Sequence, residues 1–156
     1  MRTEGGLIQV TPFQIAARFM GLRETPGVVS NPAVMAMLKL DSPWVDDDET
    51  AWCSAFVNYV AWLLECHRSK SLSARSWLNI GSPVTDFSKA WQGFHVVILS
   101  RGPGQQPGPH VLKAPGHVGF FAGWDASDVR LLGGNQGDAV SIAAFPKSRI
   151  LGIREI

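Results

Sequence analysis

Two cysteines and four histidines are the side chains of this 156-residue chain that could carry nucleophilic chemistry: Cys53 and Cys66, with His67, His95, His110 and His117. Cys53 begins an apolar series, Cys53, Phe56, Val57, Val60, Leu63 and Leu64, spaced as one buried face of a helix. Its thiol therefore stands in a first turn, where unsatisfied N–H groups and the positive dipole end favour the thiolate that attacks carbonyls. The same position also suits a core cysteine, since cysteine is among the most buried residue types. Cys66 falls at the far end of the same expected helix, Trp52–His67, without the dipole advantage. The two thiols would be about 20 Å apart at 1.5 Å per residue, whereas a disulfide needs Cα atoms within about 7 Å. Two unpaired thiols suit a reducing cytosol.

A nucleophilic cysteine needs a base. His67 lies near a helix end where a cation is favoured, His95 in an apolar strand, and His110 among prolines and glycines. His117 begins a strand between Gly116 and Gly119, which leave space around its ring. If Trp124–Asp128 turns a hairpin about Ala126, residues symmetric about that position face each other, and Asn135 comes opposite His117. Facing Cβ atoms are about 4.5–5.5 Å apart, so the Asn135 amide could accept the imidazole N–H and fix its tautomer. Asn135, between Gly134 and Gly137, also reads as a plain turn residue. Should it prove dispensable, the third group falls to Gln136 or Asp138.

These groups require helices first and strands afterwards. Thr11 as N-cap and Pro12 at the first helical position open a helix that ends at Gly21, and Ser30-Asn31-Pro32 opens a second with Val34, Met37 and Leu38 on its apolar stripe. After the Cys53 helix, 71–81 reads as a short helix or turn and 83–93 as a connection. The period then changes toward two in His95–Ser100, Gly116–Trp124, Val129–Gly133, Ala139–Phe145 and Ile150–Arg154, which read as antiparallel strands. Arg101–Pro115 holds four prolines and three glycines and reads as a loop. The order implies one α+β domain over residues 1–156.

Composition narrows the function. A net charge of +1, with no basic run beyond Arg68–Ser69–Lys70, lacks the footprint of a nucleic-acid binder. The apolar stretch Ala51–Leu64 is shorter than the roughly 20 residues of a membrane span. No secretory signal is visible at the N-terminus, so synthesis in the cytoplasm and delivery to the wall or periplasm by another factor are expected. The acidic run Asp46–Glu49 could offer oxygen ligands to calcium, yet it lacks the glycine and terminal glutamate of an EF-hand loop and fits better as a negative flank to a helix start.

The segments ETAWCSAFVNYV, GHVGFFAGW and GGNQGDAVSI resemble the NlpC and CHAP superfamily of cell-wall cysteine peptidases, especially a subgroup met in phage endolysins. Gly21-Leu22-Arg23-Glu24-Thr25-Pro26-Gly27, Asn31-Pro32, the segment from Ser73 to Leu78 and the segment from Ser148 to Gly152 resemble it too. The resemblance implies a papain-like fold, with N-terminal helices packed on a C-terminal antiparallel sheet. It implies Cys53 as nucleophile, His117 as base and Asn135 as orienting residue. The implied reaction is hydrolysis of a peptidoglycan amide, by a stem-peptide endopeptidase or an amidase, without metal or organic cofactor. A monomeric lysis enzyme with a holin partner fits this pattern; an injected antibacterial toxin paired with an immunity protein, or a non-catalytic wall module, are the alternatives. The Arg101–Pro115 loop is longer than the usual connection before Gly-His-Val-Gly.

Cys53→Ala and Cys53→Ser are expected to abolish wall hydrolysis, while Cys66→Ser keeps most of it. A turbidity assay on isolated walls checks this, and the reverse pattern would move the nucleophile to Cys66. On dipole position alone, iodoacetamide should label Cys53 first.

Overall fold

The computed structural model describes residues 9–25, 30–46 and 51–156, together with the backbone of a small antiparallel pair, β1 (Arg2–Thr3) and β2 (Gly6–Leu7). A proline and a capping side chain start each of the first two helices. In α1 (Pro12–Ala17) the Thr11 hydroxyl accepts from Gln14 N at 3.2 Å, and Gln14 Oε1 accepts from Thr11 N at 2.9 Å. This reciprocal box satisfies two donors that the helix start leaves free. In α2 (Pro32–Lys39) the Asn31 side chain accepts from Ala33 N at 2.9 Å, and Val34, Met37 and Leu38 are buried.

The third helix, α3 (Cys53–Leu63), buries Cys53, Phe56, Val57 and Val60 and leaves Trp62 and Leu63 exposed. It stops short of the expected His67. Glu65 turns into the left-handed region (φ 55°) and Cys66 N donates back to Ala61 O at 2.9 Å, closing the helix in the manner of a Schellman cap. Cys66 and His67 therefore lie beyond the helix.

A 3₁₀ turn at Ala74–Asn79 precedes the main sheet. The strands are β3 (Ser82–Pro83), β4 (His95–Ser100), β5 (Gly116–Trp124), β6 (Asp128–Gly133), β7 (Ser141–Pro146) and β8 (Ile150–Glu155), in the spatial order β3-β8-β4-β5-β6-β7 and antiparallel throughout. The five strands read from the sequence are present, and β3 adds a short edge strand where the expected connection begins. Strand β7 begins at Ser141, not at Ala139, because Val140 N donates to Leu22 O (2.8 Å) and Gly21 N to Val140 O (2.9 Å). The segment after α1 thus captures what would have been the first turn of β7. Alternation along the strands divides the molecule. Ile98, Val118, Phe120 and Leu132 pack with Trp52, Phe56, Val57 and Val60 of the helical layer, and Val97, Leu99, Phe121, Val129, Leu131 and Ile153 form a second cluster. Helices on one side of an antiparallel sheet make this an α+β fold.

The proline-rich loop between β4 and β5 is organised by a single side chain. Prolines have no N–H to build regular structure, so a loop rich in them keeps carbonyls without backbone partners. Arg75, fully buried, collects them: Nε donates to Pro115 O at 3.0 Å, and Nη1 lies at 3.0, 2.9 and 3.0 Å from the carbonyls of Pro107, Gly108 and Val111. Arg75→Met keeps much of the aliphatic stem and removes the guanidinium. It should cost about 2–4 kcal/mol, since buried carbonyls lose charge-assisted donors. Urea denaturation measures the cost, and limited proteolysis should show new cleavage within 101–115. An unchanged midpoint with an uncut loop would show that Arg75 does not hold it.

Candidate active site

Cys53 is the first residue of α3 and only 4% exposed. No side chain caps α3, so its first N–H groups stay available beside Cys53. Backbone N–H groups of Val118, Ser54 and Cys53 itself pull the thiol pKa down without outweighing its burial. The β5–β6 ladder ends at the pair Phe120 with Leu132. Beyond it the chain passes so close to α3 that a Cβ on Gly134 would stand 2.8 Å from Phe56 Cβ and from the Trp52 ring. Only glycine permits that approach. Trp52 is held in turn by Glu24, whose Oε2 accepts from the indole N–H at 2.9 Å.

His117 is also 4% exposed, and its ring tilts at 37° against Phe145 with centroids 5.1 Å apart. Its Nε2 lies 2.9 Å from Gln136 Oε1. The Gln136 amide is fixed by its other end, where Nε2 donates to Ser141 O at 2.7 Å and Leu131 O at 3.1 Å. Two carbonyl acceptors there leave Oε1 to face the ring, so Nε2 of His117 carries the hydrogen and Nδ1 keeps its lone pair. Burial lowers the imidazole pKa below its ordinary value; the Gln136 hydrogen bond opposes this, while Arg101 and Arg149 add to it. Burial likewise raises the Cys53 thiol above its ordinary range, against the pull of the surrounding N–H groups and Arg101. At neutral pH both groups rest uncharged, a thiol and a neutral imidazole.

The side chain that meets the His117 ring is not the expected Asn135 but its neighbour Gln136. Phe120 pairs with Leu132 and Phe121 with Leu131, symmetric about Ala126 as expected, with a bulge before Gly123. The pairing does not continue to Asn135, which has φ 57° and sits in a turn past the end of β6. Asn135 lines the hollow beside His117 and makes no hydrogen bond to the ring; Gln136 does. A two-residue period cannot be carried through a left-handed turn, and that is why the extrapolation missed. The signal was the glycine before it: a Cβ on Gly133 would come within 2.6 Å of Gln136 Oε1, so the run Gly133-Gly134-Asn135-Gln136-Gly137 leaves room for one long amide. Asp138 uses its carbonyl to accept from Glu24 N at 3.0 Å.

The other histidines have surroundings of their own. His95 accepts from Trp91 N and lies 3.2 Å from Glu155, and His67 and His110 line neither hollow beside the site. Those hollows are about 570 Å³, with His117, Asn135, Gln136, Phe145 and Arg149, and about 370 Å³, with Cys53, Ser73, Ala74 and Pro115. Arg101 lines both. Cys66 is half-buried, more accessible than Cys53, so burial removes the basis for labelling Cys53 first. Of the suspected calcium run, Asp47, Asp48 and Glu49 lie outside the described residues.

No family model matches the chain, and no curated protein sequence does. Its fold is similar to a solved structure of NlpC1 from Trichomonas vaginalis, with a TM-score of 0.56 over 92% of this chain and 15% identity. The chain spans 42% of that protein. The fold is accordingly NlpC-like, a papain-like α+β architecture.

Nitrogen NMR of the imidazole tests the site without a substrate. Wild-type His117 should show the Nε2–H tautomer; Gln136→Leu should mix the tautomers and move the pKa further down, because a hydrogen bond that raises it is lost. Asn135→Ala should leave both unchanged. An Nδ1–H tautomer in the wild type, or a response to Asn135→Ala matching that of Gln136→Leu, would return the role to Asn135.

Proposed function

We propose that this chain hydrolyses amide bonds of peptidoglycan, as a stem-peptide endopeptidase or an amidase, with Cys53 as nucleophile, His117 as base and Gln136 as the residue that orients the base. The carrying observation is a buried thiol at the uncapped start of α3 and a buried histidine whose Nε2 is held by Gln136 Oε1, in two hollows that share Arg101. From neutral partners the reaction starts by proton transfer. His117 Nδ1 takes the thiol proton as sulfur attacks the scissile carbonyl, and the free N–H groups at the start of α3 receive the developing oxyanion. The imidazolium then gives its proton to the leaving amine, forming a thioester. Water, deprotonated by the same imidazole, releases the carboxylic acid and restores the thiol.

The NlpC-like fold and the motifs around Cys53 and His117 support the cell wall as target. The resemblance to endolysin peptidases supports a lysis role, with action on the wall after delivery by another factor. Among the described residues no helix is long and apolar enough to cross a membrane.

Mass spectrometry of purified muropeptides after incubation is the direct test. Wild-type protein should produce new masses that name the bond, Cys53→Ala none, and EDTA should not change the result. Because burial lowers the His117 pKa and free imidazole is the working base, the acid limb of kcat/KM should lie below pH ~6.5, with activity falling as pH drops through it. Unaltered muropeptides with folded wild type would overturn the proposal.

A further inference from the structure

A third hollow, of about 440 Å³, shares no lining residue with the two beside Cys53 and His117. Phe87, Ser88, Trp124, Lys147 and Ile150 line it. Trp124 and Ile150 pack on the second apolar cluster, which gives the hollow a dry, supported floor. Phe87 is 37% exposed and is carried by the short 3₁₀ turn Phe87–Lys89, where Asp86 accepts from Ser88 N at 3.0 Å. Apolar and aromatic walls with few polar groups, in a volume of this size, suit a small ligand.

The polar groups of the hollow are donors or are already engaged. Lys147 Nζ donates to Ala126 O at 3.2 Å and stands 5.2 Å from the centre of the Trp124 ring; among the described residues it has no ion pair. The Trp124 indole N–H can only donate, and it is buried without an acceptor among the described residues, so its partial positive charge is not offset. Ser88 gives its hydroxyl hydrogen to Asp86 at 2.6 Å. The acids next to these residues in the chain are occupied too, Asp86 by Ser88 and Asp125 by Arg130 at 3.9 Å. An ammonium and an uncompensated indole dipole thus share an apolar hollow that no acid lines.

We infer that this hollow binds a small apolar carboxylate, with the anionic head paired to Lys147 and the hydrocarbon or aryl body between Phe87, Trp124 and Ile150. The inference is independent of the hydrolysis proposed at Cys53. A carboxylate supplies the counter-charge that the lining lacks, and the charge-assisted bond to the ammonium is stronger beside apolar walls than in open water. The body of the ligand takes the exposed Phe87 surface out of water. Neither part suffices alone: a bare carboxylate leaves the walls wet, and a neutral body leaves the ammonium unmatched. A sugar fits poorly, because among the lining side chains only the Ser88 oxygen accepts a hydrogen bond from its hydroxyls.

The test is a nitrogen–proton NMR titration of the full chain with three probes: 3-phenylpropionate, its neutral amide and acetate. The Trp124 indole signal, one of six from tryptophan, is identified with Trp124→Phe. With 3-phenylpropionate that signal and the amides of Phe87 and Ser88 should move, while those of Gly102, His117 and Asn135 stay in place. Its dissociation constant should be about tenfold or more below those of the amide and of acetate. Lys147→Gln should bring the acid to the level of the amide, Lys147→Arg should keep most of the preference, and Phe87→Ala should weaken acid and amide alike. Lys147 and Phe87 are exposed, so each variant is expected to keep the wild-type spectrum elsewhere. No shift at millimolar 3-phenylpropionate, equal binding of acid and amide, or a preference that survives Lys147→Gln overturns the site. Shifts confined to Gly102, His117 and Asn135 overturn it as well, because the anion then sits in the other hollow.

Discussion

At Gly134 the chain slips past α3 with no room for a side chain, and the arrangement of the site depends on that contact. Because β6 has parted from β5 there, the chain can pass against the start of α3, where Cys53 stands. The approach must also be held from the helix side. Trp52 packs its ring against Gly134, and Glu24 ties down the indole N–H, so a residue far away in the sequence sets the angle at which α3 meets the sheet. A larger residue at 134 would push against Phe56 Cβ and Trp52 together, moving Cys53 away from the strand that carries His117.

Two electrostatic effects compete at the thiol. The helix N-terminus and its N–H groups favour the anion, by about 0.3–1 kcal/mol when exposed and up to roughly 2 when partly buried. Burial works against the anion and reaches several pKa units for enclosed groups. At Cys53 burial wins, and the same holds at His117, where two nearby arginines add to it. The dipole argument made from the sequence was correct in sign and too small in size. In the proposed hydrolysis, an uncharged pair makes proton transfer part of the attack, instead of a step completed before substrate arrives.

The elements themselves were readable because their signals are local. Thr11 with Pro12, Asn31 with Pro32 and the apolar face of Cys53, Phe56, Val57 and Val60 each point to a helix through neighbours within one or two turns. The strands announced themselves by alternation, and even the symmetry about Ala126 holds at Phe120 and Phe121. What escaped was non-local or belonged to turns. Gln136 replaced Asn135 because the chain turns left-handed after β6. The end of α3 came early because a non-glycine residue, Glu65, adopts a conformation that sequence reading assigns to glycine. Arg75 showed nothing in its own neighbourhood of the carbonyls it gathers from residues more than thirty positions away.

The way Arg75 holds the 101–115 loop separates the shape of that loop from its side-chain chemistry. All four contacts are to main-chain oxygens, at Pro107, Gly108, Val111 and Pro115. Gln105, His110, Leu112 and Lys113 are exposed and take no part in the anchor. These positions are therefore free to drift during evolution, or to be randomised in a library, while the backbone that presents Arg101 keeps its course. The loop is a natural graft point, where new affinities can be tried beside Cys53 without unsettling the scaffold.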